Sequence, residues 1–301
     1  MNYKERLIKN TNTFLSKFNI KFSRVNNYQN TLDPFLKEII DRGHYLFFFD
    51  GNLEFYQNLK SIGFNFFFTE DGNIIAQFIN YKMYIQSIED MYILNEIYFE
   101  GIYNFSLPSK CILLDIGMNV GFSSLFFASF ENIQKIFSFE PIPSTFQQGL
   151  ENFALNPLIK NKIDPSNYGI GANTRIEHFD FSREWKGSVG LRGLSKEKRE
   201  SSSKIEVIEV QIKSIRDLIN NAKTYGLPIV AKIDCEGAEY EILELLNKID
   251  EVKSFDFFMI EWHDKGPQEL TKILQKSNFS TLTFKPYLKK NVGMIYAFKN
   301  I

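Results

Sequence analysis

Two glycines and three hydrogen-bonding side chains stand in a tight spacing, Asp115-x-Gly117-x-Asn119-x-Gly121, with Glu140 following roughly twenty residues after the glycines. Glycine takes positive φ and lets a ligand approach bare backbone, and a helix from about residue 121 to 130 turns its unpaired N–H groups toward that ligand. An acid closing the next strand accepts hydrogen bonds from ribose hydroxyls. The set reads as a nucleoside pocket. A nicotinamide or flavin fingerprint is G-x-G-x-x-G, spaced to seat a pyrophosphate, and here Asn119 replaces the middle glycine. That substitution counts against an NAD-dependent oxidoreductase. An ordinary strand-to-helix turn can carry the same glycines, so the assignment leans on a second group of residues.

That group is Asp234, Glu236 and Glu239, with Glu261-x-His263 further on. Asp234 ends an apolar run, Glu236 lies in the turn after it, and Glu239 opens a helix whose N-terminal dipole suits its charge. Ligands of open α/β sheets bind beyond the carboxyl ends of strands, which brings Asp234 and Glu236 to the same rim as Gly117 and Glu140. Histidine is the side chain whose ordinary pKa best suits proton removal near neutrality, and a neighbouring carboxylate can orient it or act directly. Asp234, Glu236 and His263 are therefore the candidate catalytic residues, with the base among them undecided. Asp234, Glu261 and His263 would also suit a divalent ion, but no metal is assigned.

These motifs resemble those of the FkbM family of S-adenosylmethionine-dependent methyltransferases. The first is close to that family's D-I-G-A-N-x-G, with Met118 in place of a small residue. Phe139-Glu140-Pro141-Ile142-Pro143 matches F-E-P-x-P, and Lys232 to Glu239 matches K-I-D-x-E-G-x-E. The E-x-H ending is similar too, as are a Glu and a Tyr ahead of the first strand, here Glu96 and Tyr103. The resemblance covers roughly the C-terminal two-thirds of the chain. It implies an α/β, Rossmann-like class I methyltransferase fold, a mostly parallel doubly wound sheet with a terminal antiparallel strand. It also implies S-adenosyl-L-methionine as cofactor, held by Asp115, Gly117, Asn119, Gly121, Glu140 and Pro141, with Glu96 near its methionine end. Asp164 or Asn167, at the exit of the third strand, would meet the adenine amino group, although Asp164-Pro165 also suits a plain turn. The implied reaction is O-methylation of a small-molecule or carbohydrate acceptor, such as a sugar of a bacterial surface glycan.

The positioning elements follow from pattern. Cys111–Ile116, Ile229–Asp234 and the run 257–263 are short and apolar without alternation, as in parallel strands buried on both faces. Pro141 and Pro143 stop a strand and start a helix through Asn156, and helices are expected at 88–103, 214–221 and 268–276. FSTLTFKPY and GMIYAFKN suggest a terminal antiparallel pair.

Residues 1–87 stand outside this pattern and read as an N-terminal α+β extension to a methyltransferase domain over 88–301. Leu7, Ile8, Phe14, Leu15 and Phe18 recur at helical spacing, and a second helix runs from Thr31 as N-cap to Gly43. These helices are expected to pack on the catalytic domain or on a partner subunit, which would make a homo-oligomer. HYLFFFD, FNFFFTE and NIIAQFI look like strands, with Glu70-Asp71-Gly72-Asn73 as a hairpin turn. Their edges should be covered. The polar stretch 183–203 reads as an excursion whose Trp185, Lys186, Ser188 and Arg192 could touch substrate or simply be solvated.

Over 301 residues the formal net charge is −1, which removes any electrostatic argument for nucleic acid or a membrane surface as partner. The 31 Phe and 14 Tyr fit core filling better than sugar stacking. No apolar run is long enough to span a bilayer, and the first residues resemble neither a signal peptide nor an anchor. Two cysteines, Cys111 and Cys235, act as small apolar fillers in a reduced, cytoplasmic setting.

Overall fold

The computed structural model describes residues 33–42, 53–105, 109–182, 189–191, 193–194, 196–285 and 291–300. The chain divides into two compact units, Met1–Leu53 and Glu54–Ile301. In the first, helix α1 (Pro34–Asp41) is capped by Asp33, whose side chain accepts from the Phe35 N–H at 2.9 Å. The cap falls at Asp33 rather than Thr31 because Pro34, which lacks an N–H, is pre-set for the first helical position. The expected helix over Leu7–Phe18, the Gly43 stop and the strand from His44 to Asp50 lie outside the described residues.

Helix α2 (Leu53–Ser61), masked in the sequence by its aromatic surroundings, precedes an antiparallel meander of β1 (Asn65–Phe68), β2 (Ile74–Phe78) and β3 (Tyr81–Ile85). The hairpin falls where expected, closed by the Thr69 N–H on the Asn73 carbonyl at 2.8 Å, with Gly72 at φ 82°. The free edge of β3 is covered: Asn152 accepts from the Tyr84 N–H, and Asn156 both accepts from and donates to the Lys82 backbone. Helix α3 (Ile88–Leu94) opens with a reciprocal Ser87–Asp90 capping box and runs into a π turn at Asn95–Phe99.

The main sheet then forms from β4 (Cys111–Ile116), α4 (Phe122–Ala128), β5 (Ile133–Phe139), α5 (Pro143–Ala154) and β6 (Ile163–Ser166). A side sheet follows, made of β7 (Gly169–Gly171), β8 (Arg175–Phe181) and, after the short helix α6 (Lys196–Ser201), β9 (Glu206–Ser214). The chain returns through α7 (Ile215–Lys223), β10 (Ile229–Ile233), α8 (Glu239–Lys248), β11 (Phe257–His263), α9 (Gln268–Lys276), β12 (Phe279–Phe284) and β13 (Val292–Lys299). Spatial order in the large sheet is β12-β13-β11-β10-β4-β5-β6, parallel from β6 to β11, with β13 antiparallel to both β11 and β12. This is the doubly wound α/β architecture expected, with the antiparallel pair at its end.

Every residue of β4 and of β10 is buried, as the unbroken apolar runs require. Ile112, Leu114, Ile116, Ala231, Ile233, Phe258 and Ile260 pack with Ile215, Ile219, Ile242, Leu243 and Leu246 of the covering helices in one core. Strand order reverses between β4 and β10, so the crevice opens at their carboxyl ends, where the Asp234 N–H donates to the Ile116 carbonyl at 3.0 Å. Strand β8 was not legible in the sequence: its alternating burial half-exposes it, and among the described residues it pairs with β9 alone, as an edge strand.

Candidate active site

The carboxylate of Asp115 is fully buried at the base of the first turn. Its Oδ2 accepts from Ser123 Oγ at 2.8 Å and Ser124 Oγ at 2.5 Å, and Ser124 in turn meets Ser138 Oγ at 2.8 Å. Asp115 therefore pins the start of α4 to β4 and β5 and does not line the cavity above it. Lys232, only 2% exposed, sits beside it, with Nζ 3.4 Å from Asp115, 3.5 Å from Asp234 and 2.5 Å from the Gly117 carbonyl. Burial would discharge this ammonium, but Asp234 and Asp115 outweigh that and hold its pKa above the ordinary lysine value.

Gly117 has φ 82°, and a Cβ there would stand 1.8 Å from the Asp234 carbonyl oxygen, so no side chain fits. Asn119 is left-handed at φ 52°, a conformation asparagine tolerates, and its N–H donates to Glu140 Oε2 at 3.2 Å. The Ile142 N–H donates to Glu140 Oε1 at 2.8 Å. Burial raises the Glu140 pKa to about 7, against the opposing pull of these two N–H groups and of Lys232. Gly121, at φ 83°, makes room for the Phe153 ring and lies behind the turn rather than on the cavity.

Gly117, Asn119, Glu140 and Pro141 line one cavity together with Phe139, Ile170, Phe179, Ile212, Asp234 and Glu236. Its far wall, from the side sheet, was not foreseen. There Arg175 pairs with Glu241 at 2.9 Å and with Glu177 at 2.6 Å, and Gly190 lies so close over Cys235 and Glu236 that a Cβ would be 2.6 Å from Glu236 Cβ. An apolar wall beside a buried carboxylate and a bare backbone turn suits a nucleoside, and the Asn119 Oδ1, on a residue that lines the cavity, is a buried acceptor with no hydrogen-bond partner among the described residues.

Two expected adenine contacts are elsewhere. Asp164 faces solvent and pairs with Lys135 at 3.7 Å, because in register it stands opposite Phe137, one pleat short of the rim. Asn167 does not line the cavity; its amide donates to the carbonyls of Glu140 and Pro141 and fixes the end of β5. Glu96 accepts from Tyr92 OH at 2.5 Å, and its charge acts on Tyr103 and Glu261, which sets it on the acid side of the rim rather than along the cavity.

Asp234, Glu261 and His263 converge, with one donor atom of each within 4.8 Å of the others, a spacing a divalent ion could accept. His263 is 3% exposed, and its Nδ1 lies 3.2 Å from Glu239 Oε1 while its own N–H donates to the same oxygen at 2.8 Å. Its Nε2 faces Glu236 Oε2 at 3.7 Å. Burial would lower the imidazole pKa, but the Glu239 hydrogen bond and the charges of Glu236 and Glu261 raise it to about 10. At neutral pH His263 is thus an imidazolium and not a free base, contrary to the simplest sequence reading. Burial, and then repulsion from Asp234, lifts Glu261 well above the ordinary carboxylate range, with His263 pulling the other way. Tyr103, raised by burial and by Asp234, reaches Asp234 Oδ2 with its hydroxyl at 3.5 Å.

Sequence reasoning thus found Asp234, Glu236 and His263 together but missed what frames them. Lys232 was an unremarked motif position, and Glu239 looked like a helix-dipole residue rather than the partner of His263. The usable signal was strand parity: Glu261 and His263, two apart on β11, face the same way.

Residues 115–281 match the family model described as the Methyltransferase FkbM domain. The hexuronic acid methyltransferase AglP of Haloferax volcanii is 28% identical over 171 residues, covering 56% of this chain and 64% of that protein. The chain thus spans less than two thirds of that relative's length. The methyltransferase sdnD of Sordaria araneosa is 25% identical over 182 residues, covering 53% and 70%. Among solved structures, an FkbM methyltransferase of Methylobacillus flagellatus aligns with TM-score 0.46 at 13% identity, over 82% of this chain and 59% of that one. A Streptococcus pneumoniae protein described as a putative tRNA (m1A22) methyltransferase, in complex with S-adenosyl-L-methionine, aligns with TM-score 0.40 at 14% identity, over 67% and 72%.

Proposed function

Because the chain belongs to the FkbM methyltransferase family, we propose that it transfers a methyl group from S-adenosyl-L-methionine to a hydroxyl oxygen of a sugar, an acidic sugar of a surface glycan. Family membership supports methyl transfer over the hydride transfer of an NAD-dependent oxidoreductase. The observation that carries the proposal is the position of Asp234: it lines the nucleoside cavity and also belongs to the cluster with Glu261 and His263. One side chain therefore stands where a bound cofactor and an acceptor would meet.

The cofactor, when bound, supplies a methyl group made electrophilic by its sulfonium. The chain's own part is to hold and orient. Glu140 accepts hydrogen bonds from ribose hydroxyls with the lone pairs left by Asn119 and Ile142, and the turn at Gly117 admits the ligand to bare backbone. Asp234, with a side chain 28% exposed, takes the proton of the acceptor hydroxyl, and Lys232 and Tyr103 fix its orientation. His263, held by Glu239, presents a positive edge to the acceptor, and Glu261 lies against it. The Haloferax relative is described as a hexuronic acid methyltransferase, which makes a sugar acceptor the first class to try. A reduced, cytoplasmic setting goes with this reading.

Thermal shift with S-adenosylhomocysteine and with NAD tests the cofactor assignment. Stabilisation by S-adenosylhomocysteine alone is expected, and stabilisation by NAD alone would overturn it. No metal is assigned a role; turnover is expected to survive chelation by EDTA, and loss of turnover restored by a divalent ion would give the Asp234, Glu261 and His263 cluster to a metal instead.

A further inference from the structure

The rim does not stop at the acid cluster. His263, Asp264 and Lys265 line the hollow beside it, and Asp264 and Lys265 also line a second cleft walled by Trp262, Gln268, Phe284, Lys285 and Asn291. The two spaces share these two lining residues, at the turn after β11.

Several features mark the second cleft as built. Trp262 is 4% exposed, and its indole N–H is buried with no hydrogen-bond partner among the described residues. A buried donor left without an acceptor is costly, so it is kept where a ligand can supply one. The ring is seated against Gly293, where a Cβ would come within 2.8 Å of it. Phe284 closes β12 with a ring 54% exposed. Lys285 Nζ stands 5.8 Å from the centre of the Trp262 ring, and Lys265 Nζ 5.0 Å from that of Tyr240. The walls are held together: the Asp264 N–H donates to the Asn291 carbonyl at 2.8 Å, and the Asn291 amide donates back to the Asp264 carbonyl.

The chemistry of this lining is lopsided. Among the described residues, one exposed ring offers an apolar face, while the indole N–H, two ammonium groups and two amides offer donors, against a single lining carboxylate, Asp264. A pyranose presents an apolar C–H face to an aromatic ring and hydroxyls to amides, and a carboxylate on it pairs with lysine. We propose that this cleft is a subsite for a second sugar of the acceptor, one that carries a carboxylate, next to the unit that is methylated. The inference rests on the sugar-directed methyl transfer proposed above, and it adds a second unit and a charge.

The test titrates the full chain, with S-adenosylhomocysteine present, with hyaluronan tetrasaccharide, in which every second unit is a glucuronate, and with the same tetrasaccharide after reduction of its carboxyl groups. Phe284→Ala and Lys285→Gln alter exposed side chains outside the reacting cluster, so both variants should fold, and their unchanged affinity for S-adenosylhomocysteine checks this. Each variant, and carboxyl reduction in the wild type, is expected to weaken tetrasaccharide binding about tenfold, as loss of one charge-assisted or stacking contact does. No tetrasaccharide binding by the wild type, equal binding of acidic and reduced forms, or wild-type affinity in both variants overturns the subsite. Failure of the methyl-transfer reading looks different: tetrasaccharide binding would persist while S-adenosylhomocysteine does not bind.

Discussion

Glu239 grips His263 twice with one oxygen, accepting its backbone N–H at 2.8 Å and meeting its Nδ1 at 3.2 Å. A helix-opening acid on α8 thereby sets both the register and the charge of a strand-end histidine on β11. The imidazole's charge is favoured by a residue that does not line the cavity at Gly117 and Glu140.

A pH dependence of stability follows. The His263 pKa rises on folding from 6.5 to about 10, so the stabilisation is fully present below pH 6.5 and is lost as pH rises through about 10. Urea unfolding should show stability declining across that window. In Glu239→Gln the decline should flatten, and stability at pH 7 should drop by about 1–3 kcal/mol as a buried charged hydrogen bond is lost. An unchanged slope in that variant would show that Glu239 does not hold the proton on His263.

Glu140 gives a second pH signature of opposite use. Its pKa lies at about 7, and the ionised form is the better acceptor for ribose hydroxyls. Affinity for S-adenosylhomocysteine should therefore fall as pH drops below 7, approaching tenfold per pH unit for one linked proton. Glu140→Gln should bind more weakly at pH 8 and lose the dependence. A Glu140→Gln curve that parallels the wild type assigns the titration to another group.

Gly117 is constrained by backbone rather than by a movable side chain. Gly117→Ala would drive a Cβ into the Asp234 carbonyl at 1.8 Å with φ at 82°, so β4 and β10 must separate at the crevice. A loss of about 2–4 kcal/mol in unfolding free energy is expected, with nucleoside binding impaired beyond it. Wild-type stability and binding would mean that the two strand ends can part without consequence.

Which parts of this were legible in the sequence has a physical basis. Strands β4, β10 and β11 are buried on both faces, so their apolar runs needed no alternation to be read, and the acids that end β10 and β11, Asp234 and Glu261, reach the rim. Asp164 misled because proximity in sequence to a rim says nothing of pleat: it stands one step short and on the outer side. His263 was found as a residue but misjudged in charge, since its protonation is set by Glu239, 24 positions away in sequence. The wall formed by Ile170, Phe179 and Ile212 comes from a side sheet held by long-range pairing of β7, β8 and β9, which no local pattern announces. The Phe-rich stretch around α2 hid a helix because aromatic abundance blurred its period.

The most direct test of the central claim is single-turnover methyl transfer by Asp234→Asn, measured beside its affinity for S-adenosylhomocysteine. Affinity within about threefold of wild type, with transfer reduced by about a hundredfold or more, is expected for a side chain that takes the acceptor proton at the junction of the two spaces. Transfer at the wild-type rate with intact binding would contradict that role for Asp234.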